Sequence, residues 1–435
     1  MRILIISNSE WDDNNSFGNT FSNFFDGIDG IEFANIYCRE GIPNTKLCNR
    51  FLKISDKGLI SHLLCKKKSP IHIVENKELD YNEVTTTNKG FLEFVRRKRW
   101  PIFFIARELL WQISDYKTLE FKKFIEEFSP DLVFIPIYPY IYINKMALWI
   151  SDMYHLPMVS YMSDDEYSYR RLSISPLFWF RRIMQRKWVI KVLDRSEIAY
   201  VISEIQKQEC MKDLGINCKI LTKSYDFSKY EKKDIGKKNE NIYLLYAGNL
   251  GNGRWKTLGY ISEAVDFLFK EGFKVRLDIY SSTIITEKMR VVLQRRSSCF
   301  VHNAVPYDKL KKIQKDADIV IHVESLNVWE ALDVRQSFST KLVDLFFEKK
   351  CIFAVGRKDE ASIYHLMIHD AAMVANEKKD IYLKLKLLLS DIKIRLDYAD
   401  KAYNCGKKYH NRGKMQSMLK EDLKIVIEKK GSKNI

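Results

Sequence analysis

Most of the short signatures that assign a function on sight are missing from this 435-residue sequence. Its eight cysteines are Cys38, Cys48, Cys65, Cys210, Cys218, Cys299, Cys351 and Cys405. None forms a C-x-x-C pair, and no Cys/His cluster has the spacing of a zinc site. Thiols so sparse exclude a disulfide scaffold and fit a reducing, cytosolic setting. No window holds the roughly 18 uncharged apolar residues that a membrane-spanning helix needs. The nearest candidate, Trp100 to Trp111, is broken by Arg107 and Glu108. The apolar run inside Met1–Ser7 is too short for the core of a secretory leader and reads instead as a strand. Acidic charge is in deficit: 56 Asp and Glu against 72 Lys and Arg, a formal net charge of +16. That surplus favours a polyanionic partner, whether nucleic acid, an anionic membrane face or a phosphorylated ligand, without choosing among them. With 46% hydrophobic and 29% charged residues the chain is not disordered.

What is present is a rhythm. Short β-branched runs, continuous rather than alternating, mark strands buried on both faces at Arg2–Ile6, Ile31–Tyr37, Leu132–Ile137, Met158–Tyr161 and Ile198–Ile202. Amphipathic stretches such as Phe91–Ile113 and Leu119–Phe128 separate them. The pattern returns at Ile242–Ala247, Lys274–Tyr280, Phe300–Val305, Asp318–Val323 and Cys351–Val355, each followed by a helical segment. Repeated β-α-β-α means parallel sheets covered by helices, here twice. Between the halves Phe227–Glu240 is nearly all polar and reads as an exposed linker. The expected organisation is an α/β chain with Rossmann-like, doubly wound domains at 1–228 and 241–396, facing a central cleft, and a basic helical segment at 397–435. Ligands of such sheets bind at the carboxyl ends of the strands.

Three constellations sit at such ends. Tyr246-Ala-Gly248-Asn249-Leu-Gly251-Asn-Gly253-Arg254-Trp-Lys256 follows a strand and opens a helix. It is neither a G-x-G-x-x-G fingerprint nor a Walker P-loop. A glycine loop with Arg254 and Lys256 at its exit suits a diphosphate, or is a plain strand-to-helix turn. Ser337-Phe-Ser339-Thr340-Lys341-Leu-Val-Asp344 predicts a helix capped by Ser339 or Thr340. Lys341 in its first turn opposes the helix dipole unless an anion binds there. Asp344, on the same face as Lys341, suits a ribose diol or a surface ion pair. Asp164-Asp165-Glu166 directly follows a strand and suits a general base, a divalent-metal site or a helix N-cap with acids in the first turn. Glu324 ends a strand before an expected loop of about fifteen residues, where it meets a sugar hydroxyl or solvent.

Taken in order, Tyr246–Gly251, Val305-Pro-Tyr-Asp-Lys-Leu310, Ala317–Ser325, Ser337–Asp344 and Phe353-Ala-Val-Gly356 resemble the nucleotide-sugar half of GT-B glycosyltransferases near the retaining family 4. Ala34–Arg39 and Met162–Tyr167 are similar to segments of bacterial surface-polysaccharide transferases. The family carries two glutamates eight positions apart, and here Gln336 and Asp344 stand in their places. The resemblance implies a glycosyltransferase using a nucleoside-diphosphate sugar, with no cofactor and no metal. Gly248, Asn249, Gly251, Gly253, Arg254, Val305, Glu324, Ser339, Thr340, Lys341 and Asp344 are then expected to hold the donor. Arg254 and Lys341 are expected to stabilise the leaving diphosphate, and Asp164 or Asp165 to assist the acceptor hydroxyl.

Arg96–Trp100 and Phe178–Trp188 interleave cations with aromatic residues, as an anionic membrane interface, a stacked nucleic acid or a solvated helix face requires. The expected acceptor is a lipid-linked saccharide, at the cytoplasmic face of the plasma membrane. Two other classes fit the sequence: a basic nucleic-acid-binding protein, and a silent homologue serving as a partner subunit.

Overall fold

The computed structural model describes residues 1–65, 69–75, 101–229 and 241–433. The basic run at 96–99 and residues 230–240 of the expected linker lie outside the described residues. The first domain has an eight-stranded sheet built from β1 (Arg2–Ser7), β2 (Glu32–Tyr37), β3 (Arg50–Ile54), β4 (Ile71–Glu75), β5 (Leu132–Pro136), β6 (Met158–Met162), β7 (Ser196–Val201) and β8 (Lys219–Ile220). Its order is β4-β3-β2-β1-β5-β6-β7-β8, parallel throughout except for the antiparallel β3–β4 pair. The second domain has β9 (Ile242–Ala247), β10 (Val275–Ser281), β11 (Cys299–Asn303), β12 (Ile319–Val323), β13 (Cys351–Val355) and β14 (Met373–Ala375), in the order β11-β10-β9-β12-β13-β14. Each sheet reverses direction of growth beside its first strand, between β1 and β5 and between β9 and β12. A crevice opens at such a switch point because the flanking connections leave to opposite faces.

The apolar runs become strands because both faces are covered. In β5, β6, β12 and β13 every residue is buried. One core covers the outer face of each sheet, around Trp111 and Phe121 in the first domain and Leu258 and Leu385 in the second. A third runs continuously from Phe21 and Phe134 through Phe227 to Phe346, Ala402 and Leu419, and so joins the two domains. Phe227, expected to start an exposed linker, is buried against Phe347 and Tyr403. Gly406 permits this approach, since a Cβ there would stand 2.6 Å from both the Phe227 ring and Phe346.

The carboxyl-terminal segment is not a separate unit. One helix spans Ile392–Tyr409, so a boundary at 396 falls inside it. The next, Arg412–Lys433, returns to the first domain. There Asp422 accepts hydrogen bonds from Tyr200 Oη at 2.7 Å and Lys219 Nζ at 2.5 Å, and Gln416 donates to the Asp26 carbonyl at 2.7 Å. β4, β8 and β14, absent from the strands the sequence predicts, lie at sheet edges, where tertiary pairing outweighs propensity; β3 is also absent and lies inside the sheet between β2 and β4.

A polar seam fixes the domains across the cleft. The Glu204–Leu214 helix of the first domain presents Glu209 to Arg335, which donates to both its oxygens at 2.6 and 2.5 Å. Gln336 donates to the same carboxylate, and Gln206 donates to Gln336 Oε1 at 3.3 Å. Ser203 donates to the Gln336 carbonyl at 3.1 Å. Arg335→Ala removes one cation from a buried pair and leaves Arg170 as the remaining cationic partner of Glu209. We expect about 3 kcal/mol of destabilisation, read as a lower urea midpoint. A midpoint equal to that of the wild type shows that apolar packing alone holds the seam.

Candidate functional site

A cavity of about 240 Å³ lies at the β9/β12 switch point, under the Tyr307–Asp316 and Lys341–Phe347 helices. Its walls combine apolar and polar groups. Ala304, Val305, Leu310 and the Tyr280 ring make an apolar flank, with Ser281 and Ser282 at its edge. Lys341, Asp344 and Glu348 line the cavity from one helix and its end, Lys311 and Gln314 add polar groups from the Tyr307–Asp316 helix, and Tyr225, from the segment after β8, completes the lining. Gly248, Val305, Lys341 and Asp344 are therefore together, as the sequence implied.

The glycine loop works differently from the expectation. Gly248 lines the cavity, but its N–H donates to the Tyr280 carbonyl at 3.0 Å. Leu250 N–H goes to Thr283 Oγ1 at 3.0 Å and Gly251 N–H to Asn249 Oδ1 at 2.6 Å. Asn249, Gly251 and Gly253 thus shape the turn rather than line the cavity. Gly253 has φ +73°, and a Cβ would lie 2.0 Å from Glu330 Oε2, so only glycine fits. Lys256, expected at a diphosphate, is 2.7 Å from Glu330.

Arg254 is tied to Glu324, its Nε and Nη2 lying 2.9 and 2.8 Å from Glu324 Oε2. Glu324 is buried and meets neither solvent nor an open loop. The segment after it contains a two-turn helix, Val328–Val334, in place of the expected long loop. Burial pushes the Glu324 carboxyl up, against the pull of Arg254. Burial followed by Glu324 pushes Glu360 well up as well. Burial and then the Arg254 and Lys341 charges push His322 down to about 3, leaving it neutral. The result is an excess of positive charge at the ends of β12 and β13. Arg254 is matched by Glu324, whereas Lys341 makes no ion pair among the described residues. Partial desolvation at the cavity wall, then Arg254, lowers the Lys341 ammonium, although its side chain remains exposed. Because Arg254→Ala strands a buried Glu324, Lys341 is the cleaner probe of the site.

The Lys341–Phe347 helix begins where expected, but neither hydroxyl caps it: Thr340 makes no side-chain cap, and Ser339 N–H donates to Ser362 Oγ at 2.9 Å. Asp344 pairs not with Lys341 but with Lys223 of the first domain, at 2.9 Å. His322 was legible as the residue two before Glu324 on the same strand face. Lys223, Tyr225 and Tyr280 carried no local signal.

The acidic triplet separates. Asp164 is exposed at the cleft and accepts a hydrogen bond from Ser337 of the second domain. Asp165 is 1% exposed and locked by Arg182 at 2.7 Å and by the Ser168 N–H at 2.9 Å. Against the penalty of burial, Arg182 holds its carboxyl below the usual range. It is a framework ion pair, so the expected role as a base is withdrawn for Asp165. Glu166 turns inward to Gln185, whose Nε2 lies 2.5 Å from its Oε2. Three carboxylates facing three ways do not form one metal site.

No protein-family model and no curated protein matches the chain. Solved structures do. A sucrose-phosphate synthase from Thermosynechococcus elongatus superposes with TM-score 0.63 at 7% identity, covering 98% of this chain and 100% of the other. Anabaena HepE in complex with UDP gives 0.61 at 10%, covering 98% and 100%. A trehalose-6-phosphate synthase gives 0.60 at 8%, covering 98% and 99%. These likenesses establish the fold as GT-B, two Rossmann-like domains about a cleft.

The buried Glu166 generates a pH prediction. Burial, then the Asp164 charge, push its carboxyl from 4.5 up to about 8. Its favourable contribution is full below pH 4.5 and is lost as pH rises through about 8, because the unfolded chain gives up the proton first. Glu166→Gln keeps the shape and offers a donor to Gln185 Oε1, which lacks one. The variant is expected to gain on the wild type by at least about 1 kcal/mol between pH 5 and pH 8. Urea midpoints at the two pH values measure this, and a constant difference between the proteins refutes it.

Proposed function

We propose that this chain is a glycosyltransferase that moves a sugar from a nucleoside-diphosphate sugar to a saccharide acceptor. The observation that carries the reading is the cavity at the β9/β12 switch point, which offers apolar surface at Val305 and Leu310 and cations at Lys341 and Lys311. A planar base suits the first, and a diphosphate suits the second. The structural neighbours named above include one holding UDP, and further Anabaena HepE structures hold UDP and glucose or UDP-glucose. In this reading Asp344, braced by Lys223, takes the ribose hydroxyls. As the glycosidic bond to the diphosphate breaks, negative charge grows on the departing oxygens. Lys341 stabilises it, with Arg254 behind it. Asp164, facing the cleft from the acceptor domain, accepts the proton of the attacking hydroxyl. Cationic side chains fill the electrophilic role, so no metal is required at the diphosphate. Retention of configuration, a family 4 relationship and a place in bacterial surface-polysaccharide or capsule synthesis are the finer parts of the proposal.

The acceptor is proposed to be lipid-linked, and the enzyme peripheral on the inner face of the plasma membrane. Among the described residues no helix is long and apolar enough to cross a membrane. The Pro176–Arg195 helix exposes Leu177, Phe180 and Ile183 at helical spacing, beside exposed Leu172, Ile174 and Ile102. An apolar stripe with Lys187 near it suits an interface rather than a nucleic-acid groove. Fewer cations serve this surface than the sequence suggested: Arg182 is buried on Asp165, and Arg186 donates to the Tyr167 carbonyl at 2.8 Å.

Two measurements test the proposal. Lys341→Ala is expected to lower sugar transfer by about 10²–10³ with little change in melting temperature, and added magnesium or manganese not to raise the wild-type rate. Donor binding without any turnover points instead to a silent partner subunit. The wild type is expected to co-sediment with anionic vesicles and less with neutral ones, and Phe180→Ser to weaken that binding while sugar-nucleotide binding stays intact. Indifference to vesicles, together with tight salt-dependent binding of nucleic acid, overturns the membrane reading.

A further inference from the structure

Away from the cavity, the Glu204–Leu214 helix of the first domain packs against the Ala361–Ile368 helix of the second. Glu204 opens its helix behind the Ser203 cap. His365 lies in the last turn of the facing helix and His369 at its C-cap, four residues on, so the two rings share one face. His365 Nδ1 is 2.9 Å and His369 Nε2 3.7 Å from Glu204 Oε1. The three ligand-capable atoms lie within 4.8 Å of one another. That spacing admits an ion bonded at about 2.0–2.2 Å to two imidazole nitrogens and a carboxylate oxygen.

The surrounding hydrogen bonds call for a proton or a cation there. His410 is buried, with Nδ1 3.3 Å from the Lys223 carbonyl. A carbonyl only accepts, so His410 carries its proton on Nδ1 and its Nε2 is an acceptor. That Nε2 faces His365 Nε2 at 3.3 Å, so the proton on this edge belongs to His365. If the Nε2–H is its only proton, His365 points the lone pair of Nδ1 at the Glu204 carboxylate. Two lone pairs 2.9 Å apart repel unless a proton or a metal ion lies between them. A proton satisfies Glu204 and His365 but leaves His369 Nε2, a buried atom with no hydrogen-bond partner among the described residues, unused. A metal ion uses all three. The His365 Nε2–H···His410 contact is also the outer hydrogen bond that orients a metal-bound imidazole. A cavity of about 220 Å³ lined by Glu204, His365, Tyr409 and Met415 adjoins the group and leaves space for a fourth ligand.

We propose that Glu204, His365 and His369 form a site for a zinc-class divalent cation that ties the two domains together. Two imidazoles and one carboxylate suit zinc and its neighbours over calcium or magnesium, which prefer oxygen. Glu204 comes from the acceptor half and both histidines from the donor half. The ion therefore restrains the relative position of the domains without touching the substrate cavity.

The test uses the full chain, stripped with a chelator, dialysed and titrated with zinc by calorimetry, and in parallel with cobalt followed by visible absorption. One ion per chain at micromolar affinity or tighter is expected, with the intense cobalt bands of four-coordinate geometry. His369→Ala, at a partly exposed position, is expected to weaken zinc binding more than about 100-fold, beyond the loss caused by removing an outer-shell partner. Glu204→Gln is expected to do the same. Cys65→Ser, which removes an exposed thiol, leaves affinity unchanged. Absence of binding in the folded wild type, or wild-type affinity in a His369→Ala variant of native circular dichroism, overturns the site and assigns the Glu204–His365 contact to a proton.

Discussion

The bond between Glu209 and the Arg335–Gln336 pair is the constraint on which the rest of the arrangement depends. The cleft is a space between two separately folded sheets, and its shape follows from how those sheets are held. Glu209, Gln206 and Ser203 come from one helix of the first domain, and all three engage consecutive residues of the second. Arg335 and Gln336 lead within a few residues to Ser337, which meets Asp164, and to Lys341, which faces the cavity. One buried polar contact thus sets the distance between the acceptor-side carboxylate and the donor-side cation.

The same contact gives a physical reason for Gln336. A carboxylate at this position would stand against the carboxylate of Glu209, whereas an amide donates to it. The negative charge is found instead on Glu324, two strand positions beyond His322. Here it is matched by Arg254 and kept from water by the ends of β12 and β13. A buried Glu360 that resists ionisation, and a histidine held neutral, leave Lys341 and Lys311 as the cations lining the cavity. Positive potential at one wall of a partly apolar pocket is what a departing diphosphate requires.

The formal surplus of positive charge is less available at the surface than its size suggests. Arg182 neutralises Asp165 in the core, Arg254 neutralises Glu324, and Arg335 neutralises Glu209. Long cationic side chains serve here as internal hydrogen-bond donors, which guanidinium does well because its planar fork satisfies several acceptors at once. The exposed apolar stripe of the Pro176–Arg195 helix, and not net charge, distinguishes that surface.

The sequence by itself determined the two-domain α/β architecture, because continuous β-branched runs alternating with amphipathic helices have few ways to bury both faces of a strand. It also determined which loops meet the cavity: the turns after β9 and β11 and the start of the Lys341–Phe347 helix lie at strand ends whatever the packing. Tertiary structure alone decided which side chains remain free for chemistry. Asp164 and Asp165 are adjacent and identical in type, yet one faces the cleft and the other is held by Arg182, seventeen residues on. Lys256 is taken by Glu330, Asp344 by Lys223, and the N–H groups of Gly248, Leu250 and Gly251 by Tyr280, Thr283 and Asn249. Glu204 finds two histidines 161 and 165 positions away. Local patterns encode where a backbone goes, because periodicity acts between near neighbours. The partner of a charge is chosen by distance in space, and no spacing in the chain records it.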